Sequence, residues 1–121
     1  MLGGFVVCSV RGMEKIKSIP LDQDTKFSEL EKRFPLGVVR CMTKKGYAYF
    51  RVMTQLEFAK YMSKIVEDGE RAAAQEEACA SAVVHPERPV FHEWCDDYPG
   101  IAMTCINRVL ELSGYDSSGK D

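Results

Sequence analysis

The sequence predicts an α+β protein, with a small N-terminal antiparallel β-sheet or hairpin followed by a C-terminal bundle of about three helices. Two observations carry this. Before residue 53 the chain is cut into short β-rich runs by glycine and proline, and after Thr54 apolar residues recur at helical spacing. The hinge between the two halves is the stretch 47–66, YAYFRVMTQLEFAKYMSKIV, an aromatic strand leading directly into a helix-start signal. The chain of 121 residues is read as a single domain, 1–121: residues 1–53 mainly strands with one short helix, 54–114 helical, and 115–121 a frayed polar tail.

In order, residues 3–10 (GGFVVCSV) predict a buried strand, Arg11-Gly12 a turn, and 13–19 a more polar return strand broken at Ser18-Ile19-Pro20. Asp24 or Thr25 is placed to cap a short helix through Phe34, with Phe27, Leu30, Glu31 and Phe34 on one side and Pro35 and Gly37 as its stop. Segments 38–42 and 47–52 predict a hairpin across Thr43-Lys44-Lys45-Gly46, the glycine supplying positive φ. Thr54-Gln55-Leu56-Glu57 has capping-box form, and Phe58, Tyr61, Met62, Ile65 and Val66 follow on one helical face that ends at Asp68-Gly69.

The Ala-rich segment 70–84 predicts a helix that can pack closely against a neighbour or dock loosely and be remodelled by a partner; its sparse apolar face (Ala72, Cys79, Val83) should make it the less firmly held of the two, ending at His85-Pro86. Glu87-Arg88-Pro89 reads as a loop, and 91–97 (FHEWCDD) as a helical turn. Pro99 suits the first position of a last helix, with Asp97 near its positive end. Ala102, Cys105, Ile106, Val109 and Leu110 form its core face, and Ser113-Gly114 closes it.

Composition narrows the function. A net charge of −2 and dispersed basic residues (Lys15, Lys17, Lys32, Arg33, Arg40, Lys44, Lys45) give no electrostatic footprint for nucleic acid. No apolar run approaches the roughly 18 residues of a membrane span. The apolar start MLGGFVVCSV lacks a basic n-region and the longer apolar core of a signal peptide, so the protein is expected to act in the cytoplasm or to be made there. Five cysteines, Cys8, Cys41, Cys79, Cys95 and Cys105, form no CxxC pair and read as reduced, small core hydrophobes, Cys95 beside Asp96 being the least typical.

Candidate chemistry is thin. His85, His92 and Cys95 with Cys79 or Cys105 could be offered as zinc ligands, but no second tight pair accompanies His92-x-x-Cys95. No cysteine sits in a nucleophile elbow, and no glycine-rich phosphate loop occurs. The carboxylates Glu93, Asp96 and Asp97 read as helix-end complementation rather than an acid–base pair. The expectation is therefore no enzyme and no cofactor. What remains is surface association through Phe91, Trp94, Asp96, Asp97, Tyr98 and Tyr115, whose aromatic members either cover the helix ends or form an interface; the binding surface is expected around 72–84 and 91–98, with 47–66 as scaffold.

The succession from the aromatic strand through RVMTQLEF (51–58), EEAC (76–79), VVHP (83–86), PGI (99–101) and LELSGY (110–115) resembles small tailed-bacteriophage proteins of tail or baseplate assembly, including tail assembly chaperones. The resemblance spans about residues 47–115. It implies a non-enzymatic protein contacting other phage structural proteins (tail tube, tape measure or baseplate); charge and hydropathy add the expectation of no nucleic-acid or membrane partner, and an oligomer is compatible. Such a protein would reside in the host cytoplasm during assembly, either as a transient chaperone or as a component retained in the virion. The other expectation is a small phage-encoded regulatory binder or inhibitor of a host enzyme, based on the acidic-aromatic segment 91–98.

Overall fold

The structure, a computed structural model, describes residues 18–68 and 71–115. The expected strand 3–10, the start of the return strand, Cys8, Gly69 and most of the polar tail lie outside the described residues. After a short 3₁₀ turn, Leu21–Gln23, the elements are α1 (Thr25–Arg33), β1 (Val38–Thr43), β2 (Gly46–Arg51) and α2 (Gln55–Ser63), which runs into a π-helical turn, Lys64–Asp68. They continue with α3 (Arg71–Ala82), β3 (Val83–His85), α4 (Arg88–Asp97) and α5 (Gly100–Leu112).

The α+β class holds, with the elements in a different order. The sheet is three-stranded and antiparallel, β1-β2-β3, and its last strand comes from the helical half of the chain. β1 and β2 pair from Val38↔Arg51 to Thr43↔Gly46, so Lys44-Lys45 is a two-residue loop and Gly46 (φ 134°) takes the positive φ expected of it. β3 pairs with the other edge of β2 at Tyr49↔His85 and Phe50↔Val83, with a register shift between them. The expected helix through Val84 therefore stops at Ala82. Val83 and Val84 are β-branched, costly in a helix and suited to an otherwise unpaired strand edge.

Strand alternation gives the sheet two buried faces. On one, α1 covers Val38 and Tyr49, with Phe27, Leu30 and the half-buried Phe34, Tyr47 and Val84. On the other, Cys41, Ala48 and Phe50 enter the main core with Phe91, Cys95, Ile101, Ile106, Val109 and residues of α3. Phe50 and Phe91 meet edge to face, with centroids 5.6 Å apart.

The Ala-rich helix proves central rather than loosely held. Ala74, Gln75, Ala78, Cys79, Ala80 and Ala82 are all buried, and it packs against α2, α4 and α5. Small side chains allow neighbouring elements to approach closely, so the burial is backbone-deep and does not depend on large apolar residues. Ala72 is exposed and Val83 belongs to a strand, so the face assigned to them is corrected. Residues 88–97 form a full helix rather than a loop and a turn, since Pro89 is tolerated in the first turn. Pro99 is an N-cap and not the first helical residue. The bundle thus has α2, α3, α4 and α5 where three helices were expected. Finally, Val66 is 75% exposed. The π turn is wider than an α turn and rotates Val66 off the face that Phe58, Tyr61, Met62 and Ile65 share.

Beneath α1 lies a buried carboxylate. Asp24 is 7% exposed and accepts from Phe27 N (3.1 Å) as N-cap, from Arg40 Nη1 (2.9 Å) and from Tyr49 Oη (2.6 Å). Arg40 also donates to Ile19 O (2.7 Å) and stacks over Tyr47, 4.1 Å from the ring centroid. Burial disfavours the Asp24 charge, but the hydrogen bonds from Tyr49, Arg40 and Phe27 outweigh it and hold the carboxyl below its ordinary 3.8. Burial and the Asp24 hydrogen bond together raise the Tyr49 hydroxyl well above its usual range. A depressed folded value means the unfolded chain binds more protons. The Asp24 contribution is present in full above about pH 4 and is lost as pH falls through and below that value. Asp24→Ala should cost about 2–4 kcal/mol in denaturant unfolding at neutral pH. Asp24→Asn, which retains a capping oxygen, should cost less and flatten the fall in stability between about pH 4 and pH 2.

Candidate functional site

The strand-to-helix joint is built around Arg51, the last residue of β2. Its Nη1 donates to Glu57 Oε1 (3.0 Å) and Val52 O (3.0 Å), and its Nη2 to Glu57 Oε2 (2.8 Å) and Ser81 O (2.8 Å). One planar guanidinium therefore joins the end of β2, the first turn of α2 and the last turn of α3. The capping box is complete: Glu57 N donates to Thr54 Oγ1 (3.1 Å), and Thr54 N to Glu57 Oε1 (2.9 Å). The Arg51 hydrogen bonds, reinforced by those from Thr54, hold Glu57 below its ordinary value against the opposing effect of burial. The Glu57 hydrogen bond likewise raises Arg51.

This joint sets α2 against α3 and leaves a groove between them of about 160 Å³. Its lower wall is Tyr61, Ala74 and Ala78, where two alanines leave the space a larger side chain would fill. Its rim carries Leu56, 79% exposed, with Lys60 and Lys64 facing Glu77. Lys64 Nζ lies 3.1 Å and Lys60 Nζ 3.6 Å from the Glu77 carboxylate. The Lys64 hydrogen bond is the main cause of the lowered Glu77 value. Leu56, Lys60 and Lys64 form an i, i+4, i+8 stripe, and Lys64 opens the π turn, a local geometry frequent at functional sites.

The residues singled out from sequence are dispersed. Phe91 is wholly buried and packs on Phe50, so it drops out of the expected surface. Trp94 is half-buried, with its ring tip at the hairpin turn, where a Cβ on Gly46 would stand 3.7 Å from Cη2. Asp97 pairs with Lys45 Nζ at 2.8 Å, and that hydrogen bond raises the lysine. The Tyr98 ring lies 5.8 Å from the ammonium groups of both Lys44 and Lys45. Together these three residues clamp the hairpin loop to the end of α4. Asp96 is exposed beside them, and Tyr115 lies tilted against Phe58, with ring centroids 6.4 Å apart. Tyr98 and Tyr115, which follow the ends of α4 and α5, remain 41% exposed.

His92 faces outward and pairs with Glu76 through Nδ1 (2.7 Å), whereas Cys95, one turn later, faces the core. His85 lies on the other side of the sheet, edge-on to Tyr49. Among the described residues, no group of three or more His, Cys, Asp or Glu side chains is placed to hold a metal, and no helix is long and apolar enough to cross a membrane. The described cysteines are all buried free thiols. Burial, then the nearby Glu76 and Asp96 charges, pushes Cys95 up to about 11. Burial also raises Cys79, and the hydrogen bond with Cys41 together with burial raises Cys105.

Periodicity missed the groove because it sorts residues by helix face, and Lys60 and Lys64 fall off the apolar face of α2. The signal available was Leu56, a large apolar residue out of phase with Phe58, Tyr61 and Met62. Comparisons with protein-family models, curated proteins and solved structures returned no match.

The thiol environment sets an expectation. Alkylation of the native protein with iodoacetamide at neutral pH, read site by site by mass spectrometry, should label Cys41, Cys79, Cys95 and Cys105 about tenfold or more slower than in denaturant. Rapid native labelling of Cys95 would contradict its placement.

Proposed function

We propose that this chain is a non-enzymatic protein of phage tail or baseplate assembly that works through protein–protein contact, and that the groove between α2 and α3 is the surface it uses. The observation that carries the docking reading is the open groove itself, with Leu56 exposed on its rim and a π turn at one end. The assembly context rests on the resemblance over residues 47–115, which includes both groove helices. A rigid joint at Arg51 suits a docking surface, because a preformed groove loses little conformational entropy on binding.

Transient chaperoning and retention in the particle separate by one measurement. Co-expression with tail tube, tape-measure and baseplate proteins should recover this chain in complex with at least one of them, weakened by Leu56→Glu. Mass spectrometry of assembly intermediates and purified particles then distinguishes a chaperone from a retained component. Failure to associate with every one of these proteins, with absence from intermediates and particles, would overturn the reading. A second reading, a regulator of a host enzyme, is favoured by the exposure of Glu93, Asp96 and Tyr98 on and beside α4. Stoichiometric recovery of a host enzyme, lost in Asp96→Lys with Tyr98→Ala but retained in Leu56→Glu, would select it.

A further inference from the structure

We infer that the groove between α2 and α3 takes one apolar side chain, of aromatic or branched aliphatic size, from a partner protein that places a carboxylate beside it, against Lys60 and Lys64. This inference rests on the reading of the groove as a docking surface and adds the chemistry of what docks.

Size comes first. The hollow measures about 160 Å³. An apolar cavity of about 150 Å³ admits a benzene-sized group, so the groove suits one side chain rather than a whole helix face. Its lining defines the polarity. Ala74, Ala78 and the Tyr61 ring offer an apolar lower wall, and Leu56, exposed above it, would be covered by whatever enters. Burial of Leu56 and of the incoming group supplies a hydrophobic term proportional to the area removed from water.

Charge then selects the partner. Lys60 and Lys64 share a single carboxylate, Glu77, and Lys60 holds the longer contact, 3.6 Å against 3.1 Å, while 62% of its side chain is exposed. The other acidic residue lining the groove, Glu57, has its oxygens engaged by Arg51 and Thr54. Among the described groove side chains this leaves one ammonium in excess. Two like charges at i, i+4 are mutually unfavourable, and a second carboxylate would relieve them. An incoming ammonium would meet both lysines instead. The groove therefore discriminates by repulsion as well as by attraction.

Small probes test this on the full chain without knowledge of the partner. Nitrogen-15 NMR titrations would use 3-phenylpropionate, which joins one ring to one carboxylate, and 3-phenylpropylamine, which joins the same ring to an ammonium. The expected result is shifts centred on the Leu56, Tyr61, Ala74 and Ala78 amides, with the carboxylate probe binding about two- to fivefold more tightly. Lys60→Glu with Lys64→Glu should reverse that order. These exposed positions are chosen so that the amide spectrum elsewhere stays unchanged.

Equal binding of the two probes, or an order that the charge reversal does not alter, would overturn the carboxylate assignment. Absence of shifts at the groove amides would overturn the side-chain pocket. Concentration-dependent dimerisation in analytical ultracentrifugation that the charge reversal abolishes would assign the groove to a second copy and overturn the partner proposal. Each result is separable from the assembly reading, since probe binding can succeed in a protein that associates with no tail component.

Discussion

Arg51 is the constraint on which the arrangement depends. A strand must hand over to a helix at residues 52–54, and that helix must sit against another whose sequence offers few large side chains. Ridge-and-groove packing by bulky residues is not available to α3. To the apolar packing of α2 on the core the guanidinium adds a directional tie, with paired hydrogen bonds to Glu57 and one to the carbonyl of Ser81. Both partners are part-buried, with about a quarter of each side chain exposed. The pair is therefore screened less than a surface ion pair and is held in one geometry. Glu57 is shared between the cap and the arginine, so loss of either partner disturbs both.

The remainder follows from a sheet covered on both sides. α1 closes one face through Phe27, Leu30 and the Asp24 network, and α3, α4 and α5 close the other around Phe50 and Phe91. Small residues dominate where helices meet, with alanines along α3 and buried thiols contributed by β1, α3, α4 and α5. Cysteine and alanine fill space closely but sparingly, which draws α3 into the middle of the fold. The same economy leaves the hollow between α2 and α3: Ala74 and Ala78 pack well enough to be buried, yet do not fill the gap beneath Leu56.

Much of this was legible in the sequence. A helix cap at Asp24 or Thr25, a hairpin connection within 43–46 with Gly46 at positive φ, the Thr54–Glu57 box and the core face of α5 each depend on neighbours a few residues apart, and the structure selects Asp24 and shortens the connection to Lys44-Lys45. What escaped depends on distant partners. The turn of Val83 and Val84 from helix to strand is decided by a vacant edge on β2, more than thirty residues earlier in the chain. The burial of α3 is decided by what packs around it, which a scale that rewards large side chains undervalues. The segment 91–98 reads from the sequence as one candidate interaction surface. Trp94, Asp97 and Tyr98, however, engage the hairpin loop, and Phe91 the core.

The most direct test of the central claim, that Arg51 holds α2 against α3, is residue-resolved amide exchange of Arg51→Lys. Lysine keeps the charge but cannot reproduce the paired donors to Glu57 and the third to Ser81. The α2 amides are expected to lose about tenfold or more in protection, roughly 1.4 kcal/mol of local stability, while paired β1 and β2 amides keep theirs. Unchanged protection in α2, or an equal loss across the sheet, would contradict it.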